Sequence, residues 1–517
     1  MIAVSEGWKA AHAERLLPRT FIKLSYGVTE PGLSEDATTT ATDEEHFSQT
    51  AEISNGLSKD PERYATLELN AWGLDGSFNC LDGAPNDPGY TTVSMSAENL
   101  AYGALPTITV LLSEVHDVLI PGITLTWSTA MDEWANKFRV TAYNGNIVVA
   151  QKTVTDNTDV MSRVWMDLQN YDKIVVEVLE WCLPNRRCRV EQLYLGIIEI
   201  YTKDNLLGYD HSESVDILSA TLPKSEITFR LDNSTDRWNP NNPTGVERYL
   251  LEQQQIEVLY GMEVGDTTEW IKAGTFWLSE WNTPSNGLEA SFTARDAITF
   301  MNSVYTGPRS GTLYAIVTAA FEQANLPIMP DGSIRHFVDE SLADMNTDFS
   351  VDETDYTIAD VLQMAAHMAC CVFYQDRDGR IRIEPRGTEQ TDYVIDQFKA
   401  YAHPEFEIFK PVKAVTVDYG ENETEIVVAG EAGEVQAVAN PFLETAADAQ
   451  RVANAAIHVL QGRKTLTGEY RADPRLCALD IVVVESKYDK NTVVVTDVKY
   501  STSGGALKGT YTGRVVG

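Results

Sequence analysis

The feature that most constrains the fold is a strict alternation of apolar and polar side chains between residues 288 and 295. Leu288, Ala290, Phe292 and Ala294 alternate there with Glu289, Ser291, Thr293 and Arg295. A period of two is that of a β-strand with one buried face. A second strand-like stretch, residues 269–282, precedes it across a turn that contains Pro and Gly. The region therefore predicts an antiparallel hairpin, which enters a helix through Arg295 and Asp296.

Size and charge limit the classes of protein that this chain can belong to. Its 517 residues are enough for three or four domains. There are 76 Asp and Glu against 40 Lys and Arg, a formal net charge of −36, which disfavours reading of nucleic acid through basic contacts. Three windows hold acids and no Lys or Arg: residues 24–58 with seven, 336–376 with nine and 414–450 with eight. We interpret them as solvated faces of folded elements, of a kind that would suit a DNA channel.

The cysteines and the apolar runs bear on the compartment. Six cysteines are scattered without a CxxC pair, which favours reduced, cytoplasmic assembly. Cys182 and Cys188 flank a short turn, and whether they pair stays open. The N-terminus lacks the continuous apolar core of a signal peptide, and no apolar run is long enough to span a bilayer. We therefore expect a soluble protein.

Other patterns outline a mainly β, multi-domain chain. Helices are predicted at residues 5–16, 312–325, 357–371 and 445–460, the third with Thr354 or Thr357 as N-cap and with Asp360 three residues after Thr357. Residues 62–201 are almost wholly strand-like, with turn signals at the intervals of a β-sandwich. A hairpin at 372–384 carries the turn Asp-Arg-Asp-Gly at 376–379.

Three parts of the sequence, in this order, resemble the phage tail-tip hub family, also described as the N-terminal portion of tail-associated lysins. The first is ILSATLPKSEITFRLDN at 217–233, and the second is the hairpin at 269–298, which ends in TARDAI. The third is the C-terminal half, where the resemblance lies in the segments 354–385, 410–420, 440–460 and 479–515. The resemblance implies two hub β-barrels and an α+β lobe.

The block at residues 30–204 departs from the minimal family pattern. Its segments 64–78, 122–143 and 187–200 resemble an inserted jelly-roll β-sandwich of the discoidin or carbohydrate-binding type. The predicted domains are 1–29 plus 205–300 for the first barrel, 30–204 for the insert, 301–409 for the lobe, and 410–517 for the second barrel with its helix 445–460.

The family resemblance also implies an assembly. A homotrimer would cap the tail tube, because two barrels in each of three chains imitate sixfold geometry. The implied partners are distal tail and tail tube proteins, the tape measure protein, and fibre or receptor-binding proteins. The channel would open for the tape measure and for DNA that passes without specific binding. The implied location is the tail tip of a virion assembled in the bacterial cytoplasm.

Several residues are candidates for a binding role. Trp134 and Trp181 lie among polar loop residues of the insert, and their indole faces could stack on a sugar ring. Asp75, Asp82 and Asp87 lie in a loop-rich segment that could supply oxygen ligands for calcium, although aspartates also form turns. Three further tryptophans are candidates for barrel packing and subunit contact: Trp270, Trp277 and Trp281.

We expect a structural protein with no cofactor rather than an enzyme. The chain contains no Gly-rich phosphate loop, HExxH or GxSxG motif. His367 could share a helix face with Cys370 and Cys371, but the neighbouring alanines indicate a packing helix. The alternative function is host-surface glycan binding through the insert. A tail-borne peptidoglycan hydrolase is a third and disfavoured class.

Overall fold

The computed structural model describes residues 1–14, 18–55, 64, 66, 68–69, 71, 73, 78, 89–285, 287–329, 332–420, 423–503 and 506–516. The chain is mainly β, with several sheets and more than one core, which confirms the predicted fold class. In this part of the chain, no helix is both long and apolar enough to cross a bilayer.

We call the two β units that the sequence predicted as barrels the hub units, and the two together the hub. The N-terminal segment contributes one helix and one strand to the first of them. The helix begins after Ser5, whose hydroxyl accepts the Trp8 amide at 3.0 Å, and it buries Trp8 and His12. The elements up to the end of the insert are α1 Glu6–Ala13, β1 Thr20–Val28, α2 Leu33–Asp36, β2 Thr38–Ala41, β3 Tyr90–Met95, β4 Thr107–His116, β5 Ile120–Thr126, β6 Ala135–Asn144, β7 Ile147–Val154, β8 Met161–Leu168, β9 Tyr171–Trp181, β10 Arg187–Val190, β11 Gln192–Tyr194 and β12 Ile197–Tyr201.

The insert is a β-sandwich with its own core. One sheet has the order β2-β4-β9-β6-β7 and the other has the order β11-β5-β8, with β10 and β3 as a separate pair. Trp127 packs edge-on against Phe138 and Trp181 in the core between the sheets. Strand β12 then leaves the sandwich and pairs antiparallel with β1 of the hub. The insert is thus tied to the hub by backbone hydrogen bonds.

The first hub unit contains the predicted hairpin. Its strands are β13 Leu206–Ser214, β14 Lys224–Asp232, β15 Gln255–Val264, β16 Thr267–Asn282 and β17 Glu289–Arg295, with 3-10 helices at Glu247–Tyr249 and Ala297–Met301. Phe292, at the centre of the alternation, stacks on Phe229 at 5.1 Å between ring centroids and is buried. The hairpin β16–β17 therefore confirms the strand pair and the inward row at Ala290, Phe292 and Ala294. Leu288 is the exception: it precedes the strand and is 72% exposed.

The lobe follows the first hub unit. Its elements are β18 Ser310–Thr312, α3 Leu313–Ala324, β19 His336–Val338, a 3-10 helix Glu340–Asp344, β20 Asn346–Asp348, α4 Ile358–Met368, β21 Cys371–Gln375 and β22 Ile381–Pro385. Helix α4 begins with the predicted cap: Thr357 accepts the Asp360 amide at 3.1 Å, and Asp360 accepts the Thr357 amide at 2.9 Å. Both helices and the 372–384 hairpin are confirmed.

The remaining elements complete two separate sheets. They are β23 Gln390–Ile395, β24 Glu405–Ile408, β25 Val412–Tyr419, β26 Glu423–Val428, β27 Glu434–Ala439, α5 Ala446–Gln461, β28 Lys464–Arg471, β29 Ile481–Glu485, β30 Lys490–Ser503 and β31 Ala506–Val515. Strands β26-β25-β27 form one sheet. Val415 and Val417 of β25, and the buried face of α5, share a core with α3 and α4 of the lobe.

The largest sheet joins the first hub unit to a second unit, which we define by β23, β24 and β28–β31 and not by the predicted range 410–517. It has thirteen strands in the main order β12-β1-β15-β16-β17-β14-β13-β30-β31-β28-β24, with β29 pairing to both β30 and β23. Two barrels were expected, but the pairing among the described strands is an open path. The physical reason lies in β13, which pairs with β14 on one side and with β30 on the other. The second edge of β13 pairs with β30 of the other unit, so it is not available to close a barrel in the first hub unit.

Candidate functional site: the junction cluster and the β24 rim

Strand β13 carries polar side chains into the centre of the hub. Tyr209 and His211 are buried, and the carboxylate of Glu213 is 11% exposed. Polar groups in such a position normally have hydrogen-bond partners. We define the junction cluster by these residues and the three that surround them: Tyr209, His211, Glu213, Tyr260, Arg377 and Tyr500.

The histidine at the centre of the cluster is held from two sides. Its Nδ1 lies 2.7 Å from the Tyr260 hydroxyl, which lies 3.2 Å from the hydroxyl of Tyr209. Its Nε2 faces Glu213 Oε1 at 3.4 Å. Burial, and then the charge of Arg377, lower the pKa of His211 well below its ordinary value. A neutral ring with Nδ1 as acceptor and Nε2 as donor satisfies both contacts.

Arg377 brings the lobe into this cluster. It stands in the turn between β21 and β22, where Gly379 has a φ of 91°. The guanidinium pairs with Glu213, donates to Pro474 O at 3.1 Å and to Leu476 O at 2.9 Å, and is almost fully buried. It also lies over two aromatic rings of the cluster, at 5.7 Å and 5.5 Å from their centroids. One side chain of the lobe therefore contacts both hub units.

The cluster lacks the geometry of a nucleophilic site. Ser225 Oγ lies 3.5 Å from Nε2 of His211, but Glu213 faces that same nitrogen. The other ring nitrogen contacts Tyr260, so no carboxylate orients the ring from the far side, as activation of a serine would require. The arrangement instead holds three segments of the chain around one buried ion pair.

Asp296, the acid of the segment TARDAI, connects the 3-10 helix after β17 to strand β14. Its Oδ1 accepts the Ile298 amide at 3.2 Å and caps the 3-10 helix, while Oδ2 accepts the Ser225 amide of β14 at 2.8 Å. Burial raises the pKa of Asp296 to about 7, against the lowering effect of these two amides. The carboxyl borders a cleft of about 440 Å³ that also reaches Met1 and Arg382.

A second candidate surface is the outer edge of the large sheet at β24. Glu405, Phe406, Glu407 and Ile408 are all exposed, and β24 pairs only with β28 in the described chain. We define the β24 rim by these four residues together with Phe398 and Tyr401, which are 80% and 53% exposed. Exposed apolar side chains in such a group indicate an interaction site.

The three hub tryptophans lie in three different environments. Trp277 is buried in the lobe core, edge-on to Phe300 and under the guanidinium of Arg335 at 5.0 Å. Trp281 is half-buried against the hub core. Trp270 is 41% exposed, and a role in subunit contact remains a prediction for this residue.

Of the two proposed sugar contacts, one is corrected by the structure. Trp181 is completely buried between the sheets of the insert, and its Nε1 donates to Glu133 at 2.9 Å. Its indole face is covered by Trp127 and other core residues, so it cannot stack on a sugar. Trp134 is half-buried beside that core and remains a candidate.

The remaining predicted residues are the calcium candidates, two cysteines and His367. The calcium candidates Asp75, Asp82 and Asp87 lie outside the described residues. In the described part of the chain, no three His, Cys, Asp or Glu side chains are grouped to hold a metal ion. Cys182 and Cys188 are free thiols, and His367 contacts Asn440 at 3.3 Å.

Neither the junction cluster nor the β24 rim was predicted from the sequence. The cluster joins residues that are far apart in the chain, and no local pattern marks Arg377 as buried. The rim did leave a signal in the sequence, because Phe398, Tyr401, Phe406, Ile408 and Phe409 are concentrated in a short stretch without the flanking pattern of a buried strand. Such a stretch indicates an exposed apolar edge.

Comparisons with known proteins return structures of two classes. No protein family matches the sequence, and no curated protein matches it. A 43 kDa tail protein of prophage MuSo2 from Shewanella oneidensis is similar, with 12% identity, 62% of this chain and 95% of that chain covered, and a TM-score of 0.43. A tail protein from Neisseria meningitidis MC58 has 13% identity, 62% and 94% coverage, and a TM-score of 0.45.

A third match falls in the other class. It is the family 32 carbohydrate-binding module from C. perfringens NanJ in complex with galactose, with 14% identity, 34% of this chain and 99% of that chain covered, and a TM-score of 0.21. These matched structures are thus two tail proteins and a carbohydrate-binding module, all with less than 25% identity to this chain.

Proposed function

We propose that this protein is the structural hub of a phage or phage-like tail tip, acting as a homotrimer that joins the sixfold tail tube to the tip. The observation that carries the proposal is the bridging strand β13, which makes one sheet from two hub units. Each chain then presents two β units in a fixed relation. Three such chains supply six units, which is the number that a sixfold ring requires.

The junction cluster supports a rigid connector. Its buried ion pair between Arg377 and Glu213 ties the lobe to β13, and the helix α1 adds a second tie through His12, whose Nε2 lies 3.2 Å from Ala472 O of the second unit. Both contacts cross from one unit to another. A connector that transmits symmetry needs such fixed relations between its units.

The charge distribution supports passage of DNA without binding. Five acids of the 336–376 window are exposed in the lobe: Glu340, Asp344, Asp348, Glu353 and Asp355. Exposed carboxylates repel the phosphate backbone, so a channel lined by them would not retain DNA. Gating of such a channel for the tape measure protein and DNA is part of the proposal.

The proposal places the protein at the tail tip of the virion and gives it no catalytic role. Its proposed partners are the distal tail and tail tube proteins, the tape measure protein, and fibre or receptor-binding proteins. A clear zone in zymography on cell-wall material would contradict the absence of a catalytic role. Saccharide-specific binding of the full chain to a glycan array, lost in Trp134→Ala, would favour the alternative adsorption role.

Native mass spectrometry and negative-stain imaging of the purified full chain test the assembly. We expect three copies, and class averages with six similar β units around one axis. A particle of six copies, or labelling of assembled tails away from their distal end, would overturn the proposed hub function.

A further inference from the structure

The chain enters and leaves the insert at neighbouring points of the hub. Val28, the last residue of β1, lies opposite Ile197, the first residue of β12. The hydroxyl of Thr29 donates to Leu195 O on the leaving segment. A Cβ at Gly196, which has a φ of 151°, would stand 2.5 Å from Val28 O, so the two segments cross in close contact. Contacts at this crossing therefore bear directly on how the hub holds the insert.

A histidine of the insert contacts the entering segment through both nitrogens of its ring. His116, at the end of β4, has Nδ1 3.1 Å from Glu30 Oε2 and Nε2 3.0 Å from Asp36 Oδ2. Glu30 follows the hub strand β1 by two residues, and Asp36 is the last residue of α2. The side chains of His116, Glu30 and Asp36 are 12%, 20% and 25% exposed, so water screens their contacts only in part. We call these three residues the entry clasp.

The geometry of the entry clasp requires a positively charged ring. A carboxylate only accepts hydrogen bonds, and a neutral imidazole has a single N–H to donate. With a carboxylate at each nitrogen, the neutral ring of His116 makes one of the two hydrogen bonds and sets a lone pair against the other carboxylate. The imidazolium has an N–H on each nitrogen and makes both, as charge-assisted hydrogen bonds. Loss of one proton therefore breaks one of the two contacts.

The groups packed around the entry clasp favour the charged ring. From β9, Tyr171 lies opposite His116 with ring centroids 6.4 Å apart, and burial raises the pKa of its hydroxyl, so it stays neutral. From β4 itself, the amide of Ser113 donates to Asp36 Oδ2 at 2.9 Å, and hydrogen bonding from Ser113 lowers the pKa of Asp36. Burial acts to lower the pKa of His116, but the hydrogen bonds and charges of Asp36 and Glu30 raise it above its ordinary value.

We infer that the entry clasp is pH-sensitive: it ties the entering segment to β4 when both ring nitrogens of His116 are protonated, and it releases one carboxylate when a proton is lost. The stabilisation is complete below the ordinary pKa of histidine, about 6.5. It is lost as the pH rises through the raised pKa of His116. The insert is therefore held more firmly at mildly acidic than at alkaline pH. This inference does not depend on the proposed function, because it concerns contacts within one chain.

Hydrogen exchange of the full chain, measured by mass spectrometry at pH 6 and pH 9 and corrected for the intrinsic rate at each pH, tests the inference. We expect the protection of residues 30–36 and 113–116 to fall roughly threefold to tenfold at the higher pH, because one charge-assisted hydrogen bond of a partly exposed group is lost. In His116→Arg, the guanidinium stays charged and has donors for both carboxylates, so protection should be equal at the two pH values. In His116→Gln, which carries no charge, protection should be low at both.

His46→Gln is the matched control, because His46 is 73% exposed and faces one carboxylate, that of Glu45, at 3.3 Å. It leaves the pH dependence of residues 30–36 unchanged. NMR of the wild-type chain with isotope-labelled histidine gives a readout without any substitution, since the His116 signal should titrate above a pH of about 6.5. Equal protection at pH 6 and pH 9 in the wild type, or a His116 signal that titrates at or below about 6.5, overturns the inference.

Discussion

The centre of the hub and its rim reverse the usual distribution of side chains. The junction cluster buries the charges of Arg377 and Glu213, whereas the β24 rim exposes Phe406 and Ile408. Buried polar groups and exposed apolar patches are the informative exceptions in a soluble protein. In this chain the first kind joins units within one copy, and the second kind leaves an apolar row uncovered at the edge of the large sheet.

The largest expected effect comes from breaking the centre with Arg377→Ala. The substitution leaves the carboxylate of Glu213 buried without its partner, which we expect to cost about 3–5 kcal/mol of the free energy of unfolding. Denaturant unfolding followed by circular dichroism measures this cost. The control is Arg230→Ala, which removes an ion pair whose side chains are 51% and 48% exposed, and it should cost about 1 kcal/mol or less. Equal losses of unfolding free energy in the two variants would show that the central ion pair stabilises the fold no more than an exposed ion pair does.

Most elements of the fold were predictable because their signals are local. The inward row at Phe292 follows from a period of two, and helix α4 from Thr357 and Asp360 three residues apart. The open sheet was not predictable from such signals. Whether the free edge of β13 closes its own barrel or pairs with β30 depends on residues almost three hundred positions apart.

The candidate site was predictable only in part, for the same reason. Trp181 has polar neighbours along the chain, which suggested an exposed indole. Its burial depends on strands from elsewhere in the insert that pack over it. Arg377 shows the opposite error, since a charged residue in a tight turn is normally solvated. Only the tertiary structure places that turn against the pocket between the two hub units.

A smaller effect is expected for two paired residues, Leu466 in the hub core and Phe406 on the β24 rim. Leu466→Ala removes a buried side chain and should cost about 2–5 kcal/mol. Phe406→Ser, at the paired position, should change the unfolding free energy of the monomer by about 0.5 kcal/mol or less. Denaturant titrations of both variants, at concentrations where the chain is monomeric, make the measurement. A large loss for Phe406→Ser would mean that the rim belongs to the core of a single copy.

The last expected effect is spread over several pH units and is a change in pH dependence at Asp296. Burial raises the pKa of Asp296 from 3.8 to about 7. At a pH between these two values, Asp296 is protonated in the folded chain and ionised in the unfolded chain. This contribution to stability is present at low pH and is lost as the pH rises through about 7. Between pH 4 and 7 we expect Asp296 to lower the unfolding free energy by at most about 1.4 kcal/mol per pH unit.

Asp296→Asn removes the titration and keeps one of the two acceptor oxygens, so the lost amide hydrogen bond adds an offset that does not depend on the charge of residue 296. The difference in unfolding free energy between wild type and variant should change with pH in the range from 4 to 7 and level off at higher pH. Urea titrations at several pH values measure that difference, in which the contributions of all unchanged groups cancel. A difference that is constant over the whole range would show that Asp296 is ionised in the folded hub. The hydrogen bond from the Ser225 amide would then be accepted by a charged carboxylate at the edge of the core.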